Sequence, residues 1–200
     1  YPWHWGGSYS IFNPNFVESA KLNNGVFSAR YGQAISGLLD VVSVKPDEFH
    51  FDFNLSYLST ELFIQAPITE KFGLIAYGKT TYLESLISAY RISGGDETDS
   101  IKRAPYIRDF YTKMFYKPTD NLKITFNGFF GSDGLETKFD EKDEDNETLT
   151  MEGTFDYDIY SSILALNAEW NPTDKTQIKS SVSYNFMVHP THSYPCSFKR

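Results

Sequence analysis

Cysteine is almost absent: Cys196 stands alone in 200 residues, so no internal disulfide can form and no cysteine-based metal cluster can assemble. As a nucleophile it needs a nearby activating group to be reactive, and in the Pro-containing tail HPTHSYPCSFKR it reads as an incidental thiol. Long hydrophobic runs are missing too. No stretch of about 18 apolar residues occurs, which excludes a helical membrane span but leaves a membrane barrel open, since barrel strands need only ~10 residues of alternating character. A basic excess is lacking: the net charge is −8, which argues against nucleic acid as a partner. Much of that charge is local, in the run ETKFDEKDEDNE between Glu136 and Glu147, too charged to pack in a core. The chain starts at Tyr1 with no methionine, basic n-region or apolar h-region, so an export signal is expected to have been removed or to lie upstream.

Catalytic and metal-binding patterns are equally scarce. There is no G-x-S-x-G, no phosphate-cradling glycine loop and no H-E-x-x-H, and no catalytic residue is assigned. Of the four histidines, His4, His50, His189 and His192, only the last two are close in sequence, and Pro190 between them disfavours a shared helical face. The acidic stretch 140–147 lacks the Asp-x-Asp-x-Asp-Gly order of a calcium loop and reads as solvated. No metal or cofactor is therefore expected, and no enzymatic activity.

Aromatic residues are abundant. They make up 17% of the chain, with 14 Tyr and 17 Phe, while the mean hydropathy is only −0.40, so bulky apolar side chains are interleaved with polar ones. Strands with two unlike faces have this composition. From Phe49 the chain places Phe49, Phe51, Phe53, Leu55 and Tyr57 on one face, and His50, Asp52, Asn54 and Ser56 on the other. Leu122, Ile124, Phe126 and Phe130 oppose Lys123, Thr125 and Asn127; Ile178, Val182, Tyr184 and Phe186 oppose Lys179, Ser181, Ser183 and Asn185. The segments 72–83 and 109–117 carry apolar residues on both faces, and their lipid side cannot be assigned from the pattern.

Three short turns recur at near-equal intervals: Pro67-Ile-Thr-Glu-Lys71, Pro118-Thr-Asp-Asn121 and Pro172-Thr-Asp-Lys175, where Pro fixes φ and Asp or Asn caps the backbone. Between them the sequence predicts long polar loops from Glu84 to Arg108 and from Ser132 to Asp156. Tight turns on one rim and long loops on the other are the habit of a membrane barrel. Seven strands are expected, near 48–58, 60–66, 72–83, 109–117, 121–131, 158–171 and 175–188. Tyr57, Tyr82, Tyr116 and Trp170 fall at strand ends, where amphipathic rings suit a membrane interface. Rings closing the ends of a soluble sandwich would give the same pattern.

Residues 1–45 differ, with Gly, Asn and Ser around short apolar pieces, and suggest a small mixed domain ahead of the strands at 46–188; an irregular tail covers 189–200. The run Gly6-Gly7-Ser8-Tyr9-Ser10-Ile11-Phe12-Asn13-Pro14, then Val17-Glu18, then Asn24-Gly25-Val26-Phe27-Ser28-Ala29-Arg30-Tyr31-Gly32-Gln33-Ala34-Ile35-Ser36-Gly37-Leu38-Leu39-Asp40-Val41-Val42-Ser43 resembles the closing part of the plug domain of TonB-dependent outer-membrane receptors. That resemblance implies an all-β fold: the end of a plug running into the first strands of an antiparallel transmembrane β-barrel, itself of about 22 strands. It also implies a bacterial outer-membrane location and uptake of a scarce ligand (siderophore, haem, cobalamin, nickel complex or glycan) powered through TonB, with outer-membrane lipid as the surrounding phase. Under it Tyr31 is a candidate ligand contact, Arg30 a candidate charged lock between plug and barrel, and Gly32 and Gly37 candidate packing positions. The early plug and most of the barrel strands have no counterpart here, so a fragment is expected. A passive porin and a soluble β-sandwich are the competing readings; a porin has no need for the plug-like segment.

Overall fold

The computed structural model describes residues 3–4, 9–25, 37–94, 101–142, 150–188 and 197–199. Strands β1 (Trp3–His4) and β2 (Tyr9–Ser10) pair as a short hairpin, a 3-10 turn covers Pro14–Phe16, and β3 (Val17–Asn23) pairs antiparallel with β4 (Leu38–Ser43). Asn13 caps the 3-10 turn, its side chain accepting from the Asn15 amide at 2.8 Å ahead of Pro14, which fits the first helical position.

The described strands after Ser43 build one antiparallel sheet. Its strands are β5 (His50–Leu55), β6 (Ser59–Thr69), β7 (Phe72–Thr81), β8 (Ile101–Thr119), β9 (Leu122–Lys142), β10 (Thr150–Thr173) and β11 (Thr176–Val188), each hydrogen-bonded to its neighbour in sequence. A short β12 (Ser197–Lys199) joins β10 at Thr150–Glu152, beyond the point where β11 has ended. The sheet is an open meander with β5 and β11 as edges; it does not close on itself. The described chain is thus mostly antiparallel β, and all seven expected strands are present. The three expected turns are present as well, at 70–71, 120–121 and 174–175, all on one rim.

Both expected long loops are corrected. Leu83–Ile92 is an α-helix, α1, with Glu84 in its first turn and Arg91 in its last, each suited to the helix dipole. It ends where Gly94 takes φ +95°, the left-handed conformation that glycine reaches without strain. From Ile101 the chain is already strand, and β9 and β10 continue through Lys142 and from Thr150. Polarity on both faces signals solvent exposure, and an exposed ribbon can still pair its backbone. Here β8, β9 and β10 pair far past the level where β7 stops.

Register fixes the two faces of every strand. Phe63, Tyr77, Tyr111, Phe129 and Ile163 lie in one cross-strand row, with Gln65, Ile75, Lys113, Asn127 and Ala165 in the next. The opposite face carries Leu62, Gly78, Phe110, Phe130 and Ser162, then Ala66, Leu74, Met114, Phe126 and Leu166. Strands 72–83 and 109–117 are thereby resolved: β7 turns Leu74 and Ala76 to the apolar side, and β8 turns Phe110, Met114 and Tyr116 there.

The two faces differ in cover. The mixed face is covered in part by the N-terminal segment and holds the buried residues Phe63, Ile75, Tyr77, Ile107, Phe115, Phe129 and Ile159 together with Gln65, Asp109, Lys113 and Asp133. The apolar face is bare. Phe51, Phe53, Leu55, Phe110, Phe130, Leu166, Val182, Tyr184 and Phe186 are exposed, Val182 at 71%.

Candidate functional site

The candidate site is the seam between the N-terminal segment and the polar face of the sheet. Its apolar centre is Phe16, carried by the 3-10 turn into a cluster with Phe63, Ile75 and Tyr77; Phe12, Val17, Val44 and Tyr111 pack around it. The rings of Phe16 and Tyr111 lie 4.0 Å apart, tilted by 59°. Burying one such side chain stabilises by ~1.5–3 kcal/mol. Beside it a cavity of about 150 Å³ is lined by Phe12, Phe16, Tyr77, Tyr111, Phe129 and Ile163, with the Asn13 and Asn127 amides at its rim.

Polar contacts surround this centre. Asn13 donates from Nδ2 to Glu61 Oε2 at 3.1 Å, and the Tyr77 hydroxyl donates to the same oxygen at 3.1 Å. Glu61 also faces Lys79 at 3.3 Å. At the turn rim, the buried Lys113 amine donates to the Ser43 hydroxyl and to the Val44 carbonyl at 3.3 Å, holding the point where β4 gives way to the sheet. Pro46 rests on Gly73 so closely that a Cβ there would meet Pro46 Cγ at 2.5 Å.

At the other end lies the most buried ionisable group among the described residues of the segment. His4 is 4% exposed, with Nδ1 3.0 Å from Asp133 Oδ1 and Nε2 3.0 Å from Asp109 Oδ2. Both carboxylates are buried, Asp109 at 5% and Asp133 at 2% exposure. Burial alone would lower the imidazole pKa, but hydrogen bonds to Asp109 and Asp133 and the charges of both outweigh it, and the group is pushed up to about 9. The two carboxylates address opposite ring nitrogens, so the three residues do not converge on one ion. Among the described residues no cluster of three or more His, Cys, Asp or Glu is arranged to hold a metal.

Of the residues singled out in the sequence, Arg30, Tyr31 and Gly32 lie outside the described residues, as do His189, His192 and Cys196. Gly37 is exposed at the head of β4; a Cβ there would meet only Asn24 Oδ1 at 3.6 Å and Asn23 O at 3.8 Å, on the neighbouring strand and not on the large sheet. Gly25 does need to be glycine, at φ +107°. Sequence reasoning passed over His4 as one histidine of four and missed Asp109, Asp133, Glu61 and Asn13. The one signal present was parity: Asp109 and Asp133 occupy positions that turn to the covered face.

Comparison with known proteins adds no relative: no family model, no curated protein and no solved structure matches the chain.

Proposed function

We propose that the sheet is a section of the wall of a bacterial outer-membrane β-barrel, with the N-terminal segment as the end of a plug seated on its lumenal face, in a receptor of the TonB-dependent type. The observation that carries the membrane part is the bare face: the covered side mixes an apolar cluster with the buried polar residues Gln65, Asp109, Lys113 and Asp133, and the other side is an apolar field with no cover among the described residues. In water that arrangement exposes far more contiguous apolar area than a soluble monomer tolerates; in lipid it is the required one.

The height of the field agrees. On the apolar side of β10 the row runs from Trp170 through Ala168, Leu166, Leu164 and Ser162 to Tyr160. That stretch rises ~33 Å along the strand at ~3.3 Å per residue, or ~25 Å across a bilayer at the ~40° tilt of barrel strands. Aromatic rings mark both margins, Tyr116 and Trp170 near the turn rim, Tyr57, Tyr82 and Tyr160 near the other. Beyond Tyr160 the same face turns polar, with Arg103 bound to Asp156 at 2.7 Å and to Asp158 at 2.9 Å, as expected where strands leave the hydrocarbon. In this reading the open edges of β5 and β11 pair with further strands of the wall, because unpaired backbone is not tolerated in lipid.

The receptor part rests on the resemblance of residues 6–43 and on the seam that holds the segment against the polar face. A passive pore gains nothing from an occupied lumen. The ligand class stays that of the family as a whole, siderophore, haem, cobalamin or glycan, with TonB as the partner of the complete receptor.

Depth-dependent quenching tests the reading. Single cysteines carrying a fluorophore are placed at Leu166, Val182 and Ser183, with Cys196 replaced by Ser, and the chain is reconstituted in vesicles containing brominated lipid. Labels at Leu166 and Val182 are expected to be quenched strongly and the label at Ser183 weakly. Equal quenching at Val182 and Ser183, or a monodisperse monomer without detergent, would remove the membrane reading; a soluble dimer would show the apolar face buried against a second copy.

A further inference from the structure

We propose that the cavity beside the Phe16 anchor is a binding site for one neutral, benzene-sized ring carrying a hydrogen-bond acceptor, and that such a guest strengthens the docking of the N-terminal segment on the sheet. The site lies on the covered face, goes beyond the membrane reading and does not rest on it.

The walls of the cavity come from the segment and the sheet together. Phe12 and Phe16 belong to the segment, and Tyr77, Tyr111, Phe129 and Ile163 to four successive strands, β7 to β10, enclosing about 150 Å³. An apolar void of that size stays dry and accepts one benzene-sized guest. A drug-sized ligand needs ~300–1,000 Å³, so the site is built for a single ring. Ile163, 37% exposed, marks the side on which the cavity meets solvent and gives the guest its way in.

The void has a local cause on β9. The tip of the Phe129 ring lies over Gly131, where a Cβ would meet it at 2.7 Å, so the glycine lets that ring lean along the strand and away from Asn127. Asn127, two residues back on the same face, is short and turns to the Tyr111 hydroxyl, which donates to its Oδ1 at 3.1 Å. Neither side chain fills the space beside Phe16.

Polar groups at the rim narrow the class of guest. Tyr111 engages the Asn127 carbonyl oxygen, which leaves the amide N–H groups of Asn127 to meet an acceptor on the ring. Asn13 donates to Glu61 Oε2 and accepts from the Asn15 amide. An anion would face the Glu61 carboxylate across that contact and give up its hydration for aromatic walls. A cation finds Glu61 already met by Lys79 at 3.3 Å and by the Tyr77 hydroxyl at 3.1 Å. A neutral monocyclic compound, such as a phenol, meets neither cost.

Because segment and sheet both wall the cavity, the guest binds only while the segment is docked. By mass action it then makes opening of the segment rarer by the factor 1 + [L]/Kd, about tenfold when free ligand is about ten times Kd.

Two measurements on the full chain test the site, with 4-fluorophenol as the probe. In the first, NMR of the wild type is expected to show saturable binding of one equivalent, with contacts from the bound ring to the rings of Phe16 and Tyr111. Uptake that never saturates, or contacts only to Phe110 and Phe130 on the bare face, overturns the proposal. Tetramethylammonium, a small cation, should not displace the probe; displacement would overturn the neutral class. Ile163→Trp, which fills the cavity from the sheet, should weaken binding at least tenfold with strand content unchanged by circular dichroism. An unchanged affinity in that variant would place the probe elsewhere, and the wild-type contacts decide the matter should the variant fail to fold. In the second measurement, hydrogen exchange of β3 and β4 should slow about tenfold at free probe about ten times Kd, with β9 and β10 unaffected. Exchange in β3 and β4 that does not change with the ring seated overturns the strengthening of the seam.

Discussion

At the scale of single residues, close approach decides more than chemistry does. Gly134 lies on the outward side of β9 above the apolar field, and a Cβ there would overlap the Asp158 carboxylate and sit 2.5 Å from the Tyr157 carbonyl oxygen. Tyr157 O is backbone and cannot move aside, and Asp158 is held by Arg103 and by the Tyr106 hydroxyl at 2.7 Å. Gly134→Ala is therefore expected to destabilise by ~1–3 kcal/mol through overpacking, read as a lower denaturant midpoint. Gly78→Ala is its control: the nearest atom to a Cβ there is the Asp109 carbonyl oxygen at 4.0 Å, and the change should be near neutral. His4 belongs to this scale too. Burial opposes the charged ring, but hydrogen bonds to Asp109 and Asp133 and the charges of both raise its pKa from 6.5 to about 9.

At the scale of elements, the N-terminal segment is held by one aromatic anchor and a ring of polar contacts. Phe16→Ala removes the anchor from a cluster whose other members belong to the sheet, and the expected cost is ~3–5 kcal/mol for that docking. Hydrogen exchange should register it as lost protection in β3 and β4 while β9 and β10 stay protected. Uniform loss across the sheet would mean that segment and sheet fold as one unit. Much of the sheet was legible beforehand: alternation marked β5, β9 and β11, and the Pro-Thr-Asp turns marked one rim, because both signals are local. The helix α1 was not, since Leu83, Leu86, Ile87 and Tyr90 at helical spacing run into the polar stretch 93–100 and were read with it as one connection. The strand extensions were not legible either, because Arg103 finds Asp156 and Asp158 only across 53 and 55 residues of chain. The seam was least legible of all: His4 meets Asp109 and Asp133 over separations of 105 and 129, which no local pattern encodes.

At the scale of the whole molecule, the proposed lipid-facing field would make the cost of a charge depend on two coordinates, which face it occupies and how far it lies from the margins. Leu164 is near the middle of the apolar row on β10 and Ile178 near its turn-rim margin, opposite Trp170. Asn167 and Ser181 are neighbours of that field on the polar side, joined by a hydrogen bond of 2.7 Å. If the field faces hydrocarbon, Leu164→Arg should impair folding into bilayers by ~2–4 kcal/mol and Ile178→Arg by ~0–1, since the cost falls toward the interface. Ser181→Arg, on the wet face, should cost least. A soluble sheet partnered by a second copy predicts a different ordering, because a protein interface has no midplane: Leu164→Arg and Ile178→Arg would then be comparable, and both would shift the monomer–dimer balance without any need for lipid. Folding yields in vesicles of increasing acyl-chain length sharpen the contrast, since only a lipid-facing band ~25 Å tall has a preferred bilayer thickness.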